Sequence, residues 1–194
     1  MKTGKKIYVS SKKMDKYSKT VHRDEFKYYK TFQLNEKNLK VLEDYTKKLR
    51  SYKNYLNANG YQFDFTINDD NVVEMEQDIV TGEDFKGDFF DWLPLYKNFI
   101  IEVQKFRPVG LYLRASDLQY KNLKFVNGGK KFILIDETKL NTSNFINKAK
   151  YEFIYGAFSY LTAEITKFPY NNVSPQFICQ KIIDNVEEAF YEAG

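Results

Sequence analysis

Asp117, Asn122 and Asp136 are the residues with which this chain could do chemistry, because their oxygens bracket a hairpin. The segment 117–136 reads DLQYKNLKFVNGGKKFILID. Asn127-Gly128-Gly129 is a tight-turn signal, since glycine takes positive φ without steric cost. NLKFV and KKFILID are the arms. The second arm is nearly all apolar, which predicts a buried strand. A carboxylate ending a buried strand must emerge into solvent or meet a cation, so Asp136 is either a turn residue or a metal ligand. A hairpin brings its ends together, so Asn122 and Asp136 can face the same point. Asp117 stands five residues ahead of Asn122. Two carboxylates and an amide oxygen form a hard-oxygen cluster suited to Mg²⁺. Taken singly, each has a plainer reading: Asp117 as a helix cap or turn residue, Asn122 as a strand start, Asp136 as a solvated strand end.

The elements that must position these residues come from a chain of 194 residues, 43% hydrophobic and 18% aromatic. That is enough apolar material for a core. The length suits one domain, or two small lobes sharing a cleft. Thirty basic and 26 acidic residues give a net charge of +4. The mild excess favours phosphates or acidic surfaces but does not mark a nucleic-acid binder. Cys179 is the only cysteine, which excludes an internal disulfide and a Cys-based zinc site. His22 is the only histidine, so His-pair metal sites and Ser-His-Asp chemistry have little to work with. The basic N-terminal stretch lacks the apolar core of a signal peptide, and no run reaches membrane-spanning length. The expectation is a cytoplasmic protein without a membrane partner. Richness in Lys, Asn, Tyr, Phe and Ile is what an AT-rich genome encodes.

KIYVS and YSKTVHR read as strands joined by the polar turn SKKMDK, and FKYYKTF as a third strand. Residues 35–59 carry Leu39, Leu42, Tyr45 or Thr46, and Leu49 at helical spacing, with an Asn start and an Asn-Gly stop. YQFDFTI and VVEMEQDIV pair as a hairpin across NDDN. The apolar segment after TGEDF is expected to be helical from Pro94 onward. Everything from 141 to 194 reads as helical apart from the PYNNVSP loop. Trp92 and the many Phe and Tyr are core residues by this reading, His22 is structural, and Cys179 is a small buried hydrophobe.

Asp-x-x-x-x-Asn, a glycine-containing hairpin and then ILID resemble the catalytic and metal loops of protein-kinase-like phosphotransferases. The branch with small-molecule acceptors, such as aminoglycoside and choline kinases, is the nearest in flavour. The similarity covers roughly residues 6–140. It implies an α+β, bilobal protein-kinase-like fold. A small β-rich N-lobe with one long helix would span 1–78, and a reduced, mostly helical C-lobe would span 79–194. Within the C-lobe lie the catalytic loop 114–122, the hairpin 122–136 and the helical tail 141–194. By the resemblance Asp117 orients or deprotonates an acceptor hydroxyl, while Asn122 and Asp136 hold Mg²⁺ against the phosphates of ATP. Lys30, with Lys27 as alternative, grips the α- and β-phosphates. Glu43, with Glu36 as fallback, pairs with that lysine. Met75, Glu76, Gln77 and Asp78 lie against the adenine, and Ser11 and Lys12 stand where the phosphate loop should be.

The sequence departs from that pattern in several places. SSKKMDK replaces a glycine-rich loop, Ala115 stands where a His is usual, and Asp136-Glu137-Thr138 replaces Asp-Phe-Gly. No Ala-Pro-Glu activation segment follows. The implied partners are a nucleotide and an unidentified hydroxyl acceptor, a host protein if the chain is encoded by a phage or mobile element. Two rivals remain: a pseudokinase that engages a host partner without catalysis, and a basic nucleic-acid binder using the interleaved Tyr and Lys of KYYK and RSYKNYL. Mixed acidic residues weigh against the latter.

Overall fold

Alternating side chains in the first eighty residues build a sheet with one apolar face, and a helix covers the apolar side. The computed structural model describes residues 7–14, 17–34, 39–119, 121–126, 128, 130–163 and 173–194. The chain divides into two units, Met1–Val80 and Thr81–Gly194. In the first, β1 (Ile7–Met14), β2 (Tyr17–Arg23), β3 (Lys27–Leu34), β4 (Phe63–Ile67) and β5 (Val72–Asp78) form an antiparallel sheet. Its order is β1-β2-β3-β5-β4. On β5, Val73, Met75 and Gln77 are buried while Glu74 is exposed, the period of two of a half-covered strand. Helix α1 (Leu39–Ala58) supplies Leu49, Tyr52, Tyr55 and Leu56 to the same core as Phe32 and Phe63. Tyr52 meets Phe63 edge-on at 4.9 Å between centroids.

The Asn-Gly stop signal works as expected. Gly60 takes φ +82°, its N–H donates to Asn57 O, and Tyr61 N–H donates to Leu56 O. That pair of bonds is a Schellman closure, which needs a left-handed residue at this point. One expectation is corrected at the other end of the unit. Ser11, Lys12 and Lys13, assigned to a turn, belong to β1 and pair with Thr20, Lys19 and Ser18 of β2. Ladder pairing with a neighbouring strand overrides the weak strand preference of lysine and serine.

The second unit begins with α2 (Phe89–Gln104). The helix starts ahead of Pro94, not after it. Asp88 Oδ1 accepts from Phe90 N (2.8 Å) and Asp91 N (3.0 Å), and Asp91 Oδ2 accepts from Asp88 N (3.1 Å). This reciprocal box starts the helix, and the helix tolerates the missing proline N–H. Trp92, stacked on Tyr96 at 4.5 Å, and Phe132, edge-on to Tyr160 at 5.4 Å, are core residues as expected.

Two short strands were not anticipated: β6 (Tyr112–Ala115) pairs with a strand at Leu140–Ser143. The latter falls where helix was expected. Four-residue strands carry too little pattern to be read locally, and this one exists only through its distant partner. Between them lies the expected hairpin, β7 (Leu123–Val126) and β8 (Lys131–Leu134), which makes Leu140–Ser143 β9. Asn127 and Gly129 of its turn lie outside the described residues. Helices α3 (Ile146–Ala163) and α4 (Pro175–Glu192) follow. Cys179 on α4 is half-buried rather than buried. The described chain is therefore α+β, with four helices and antiparallel sheets. No helix among the described residues is long and apolar enough to cross a membrane.

Candidate functional site

The loop from β6 to β7 and the turn from β8 to β9 meet around Asp117. The β6–β9 ladder extends one step past β6, with Ser116 N donating to Lys139 O (3.1 Å). The β7–β8 ladder likewise extends one step, with Ile135 N donating to Asn122 O (2.9 Å). These two closures bring Asp117, Asn122 and the 136–139 turn together. Buried Gln104 anchors β6 from α2, its amide donating to Leu113 O (2.5 Å) and accepting from Leu113 N (3.1 Å).

Asp117 has φ +53°. A left-handed conformation is uncommon outside glycine but is tolerated by Asp and Asn. The next residue, Leu118, is fully buried against Gly156 of α3. A Cβ at 156 would lie 2.7 Å from Leu118 Cδ1, so glycine is required for this approach. Leu118 anchors the loop, and the left-handed turn directs Asp117 away from the core into partial exposure.

Asn122 is 6% exposed. Its Nδ2 donates to Asp117 O (2.7 Å) and to Asp117 Oδ2 (3.3 Å). Lys139 Nζ donates to the same Oδ2 at 2.6 Å. Asp136 caps the short 3₁₀ turn Glu137–Lys139, with Oδ1 accepting from Thr138 N (3.1 Å) and Thr138 Oγ1 (2.8 Å). Asp136 is thus a turn residue through one oxygen. Its Oδ2, with Asn122 Oδ1 and Asp117 Oδ1, makes no hydrogen bond among the described residues. None of the three is a buried orphan atom. The arrangement therefore leaves three hard oxygens for something other than protein. Among the described residues no group of three or more His, Cys, Asp and Glu could hold a metal. An amide oxygen and a carboxylate oxygen fit Mg²⁺, which keeps waters and phosphate oxygens for its remaining positions.

In the first unit, Lys30 stands opposite Met75 in the β3–β5 register. It is 8% exposed and donates to Gln77 Oε1 at 3.2 Å. Lys27 points to the opposite face and ion-pairs with Glu76, and that bond raises the Lys27 pKa above its ordinary value. The strand period thus separates the expected adenine contacts. Met75 and Gln77 are buried, whereas Glu76 holds Lys27 and Asp78 Oδ2 accepts from Gln62 N (2.8 Å). A cavity of about 390 Å³ on this sheet is lined by Lys30, Met75 and Glu76 together with Tyr29, Asp64 and Glu74. Its carboxylates disfavour a triphosphate. Glu43 is exposed on α1. Glu36 lies outside the described residues, and Ser11 and Lys12 are strand residues of β1.

Lys139, Thr138, Leu118 and Gly156 were missed by sequence reasoning. Lys139 is one of many lysines, and nothing local distinguishes it. Gly156 inside an apolar helix pattern was the one available signal of close approach.

No family model matches this chain, and no curated protein matches it. A solved structure, that of the Cydia pomonella Granulovirus kinase PK-1, is similar over 89% of this chain and 77% of its own. Its sequence identity is 14% and the TM-score 0.40. At that level the likeness assigns neither fold family nor activity.

Proposed function

We propose that this chain is a phosphotransferase of bilobal, protein-kinase-like fold, moving the γ-phosphoryl group of ATP to a hydroxyl of a protein or small-molecule acceptor with Mg²⁺. The observation that carries the reading is the clasp at Asp117. Asn122 gives its amide N–H₂ to Asp117 and Lys139 pairs with the same carboxylate oxygen, while Asp117, Asn122 and Asp136 each keep an oxygen with no hydrogen bond among the described residues. In this reading Asp117 Oδ1 accepts the proton of the acceptor hydroxyl, while Asn122 Oδ1 and Asp136 Oδ2 hold the cation. Mg²⁺ held there by Asn122 and Asp136 would supply neutralisation of phosphate charge. The protein's contribution is then positioning and charge neutralisation rather than covalent chemistry.

Calorimetric titration of ATP with and without Mg²⁺ tests the reading without knowledge of the acceptor. Mg²⁺-dependent binding is expected in the wild type and is expected to be lost in Asp136→Ala. Asp117→Asn should keep ATP binding and lower turnover by about 10²–10⁴-fold, the range for loss of a positioned base. Binding that ignores both Mg²⁺ and Asp136 would sink the metal assignment, and unchanged turnover in Asp117→Asn would sink the base.

A non-catalytic binding protein of the same fold is the second reading. The exposed position of Glu43 favours it, as does a paired strand at Ser11–Lys13 in place of a phosphate loop. It expects no phosphate release from ATP under any condition.

A further inference from the structure

We propose that Lys139 is the positioning residue for Asp117. Its ammonium, with the Asn122 amide, fixes one carboxylate oxygen so that the other is presented to the acceptor. This rests on the phosphotransfer reading above. Lys139 Nζ lies 2.6 Å from Asp117 Oδ2, and Asn122 Nδ2 lies 3.3 Å from the same oxygen. Two donors on one oxygen set the plane of the carboxylate, because rotating it would break a charge-assisted bond.

Lys139 is itself held at its base. Its N–H donates to Asp136 O (3.0 Å), and its carbonyl accepts from Ser116 N (3.1 Å). The turn that presents Asp136 therefore also presents Lys139, and Lys139 reaches back to Asp117. A single short element thus couples the proposed cation ligand to the proposed base. In the transfer step the acceptor O–H proton passes to Asp117 Oδ1 and the acceptor oxygen bonds to the γ-phosphorus. The β–γ bridging bond breaks, and ADP leaves with the bridging oxygen. Lys139 acts only through Asp117. Its side chain is 26% exposed and that of Asp117 is 32% exposed, and ion pairs of that exposure contribute little to stability. Loss of Lys139 should therefore show in turnover and leave folding intact.

The test measures release of inorganic phosphate from Mg-ATP by the full chain, with water as acceptor, in wild type, Lys139→Met, Lys139→Arg and Asp117→Asn. Melting temperature and calorimetric ATP affinity are recorded beside it. Lys139→Met is expected to lower turnover at saturating ATP by roughly tenfold or more, with KM for ATP and melting temperature unchanged. Lys139→Arg should recover most of the rate. Full or faster turnover in Lys139→Met, with Asp117→Asn inactive, overturns the role and leaves the phosphotransfer reading standing. Joint collapse of ATP affinity and melting temperature makes Lys139 a structural residue and also overturns it. A wild type that releases no phosphate removes the reading itself, and this role with it.

Discussion

Asn122 has the narrowest tolerance in the site, because its side chain works in two directions. The amide nitrogen clasps the backbone oxygen and Oδ2 of Asp117, and in the proposed function the amide oxygen would hold the cation. Asn122→Ala should cost about 1–3 kcal/mol by stranding polar groups at a buried position. Asn122→Asp should cost more at neutral pH, since it replaces the amide donor with a carboxylate set against the Asp117 carbonyl and carboxylate. Urea or thermal unfolding of the two variants checks the order, and an Asn122→Asp as stable as wild type would refute the clasp. Asp117→Asn is the informative change at its own position because asparagine also tolerates positive φ, so a loss of rate reports chemistry rather than refolding of the loop. All three oxygen-bearing residues were legible from spacing alone. Lys139 was not, because its meeting with Asp117 depends on a strand pair that local pattern does not reveal.

The decisive contact between elements is the approach of α3 to the loop that carries Asp117. Gly156 lets Leu118 lie against the helix, while Tyr96 OH donates to Phe153 O one turn earlier at 2.6 Å. A Cβ at 156 would also come within 3.3 Å of that Tyr96 oxygen. Gly156→Ala should therefore destabilise by about 1–3 kcal/mol, the usual cost of overpacking a filled core. It should also reduce any activity that depends on Asp117. Leu118→Ala in the same chain should restore part of the Gly156→Ala loss, since it removes the clashing atoms. Additive effects of the two changes in thermal melts would show that the helix and the loop are not in contact. Helix periodicity, the Asn-Gly stop of α1 and the alternation of β4 and β5 were readable because each signal is local. The β6–β9 pair was not, and the start of α2 was misplaced because the capping box outweighed Pro94.

Across the whole molecule, stability should respond to pH at two ends through different units. Backbone N–H groups of Phe26 and Lys27, then the Tyr29 hydroxyl, hold the Asp24 carboxylate below its ordinary 3.8. Lys53, then the Phe65 N–H, does the same for Asp64. A depressed folded pKa means stability that is present above the unfolded value and lost as pH falls through the folded one. The first unit should therefore weaken below about pH 4. Glu192 and Glu188 raise Lys97 above its ordinary 10.5, tying α2 to α4 at 2.6 and 3.0 Å. A raised folded pKa means stability present below the unfolded value and lost as pH rises through the folded one, here above about pH 10.5. Amide exchange followed across pH should show acid-side loosening around β2–β3 and β4, and alkaline-side loosening around α2 and α4. Asp24→Asn should remove part of the first response. Lys97→Met should remove the second, at a cost below about 1 kcal/mol for so exposed a pair. Acid loosening confined to the helices would contradict this assignment.

The sequence by itself determined the α+β character, the long helix of the first unit and the three oxygen-bearing residues around the hairpin. Each rests on periodicity, turn chemistry or spacing within a few residues. Tertiary structure alone decided which oxygens of those residues accept the hydrogen bonds of Asn122, Thr138 and Lys139, that Lys139 holds Asp117, and that Lys30 faces inward while Lys27 faces out. It also decided that Glu43 stays on the surface. Those facts depend on ladders and packing between residues distant in the chain, where no local pattern carries a signal.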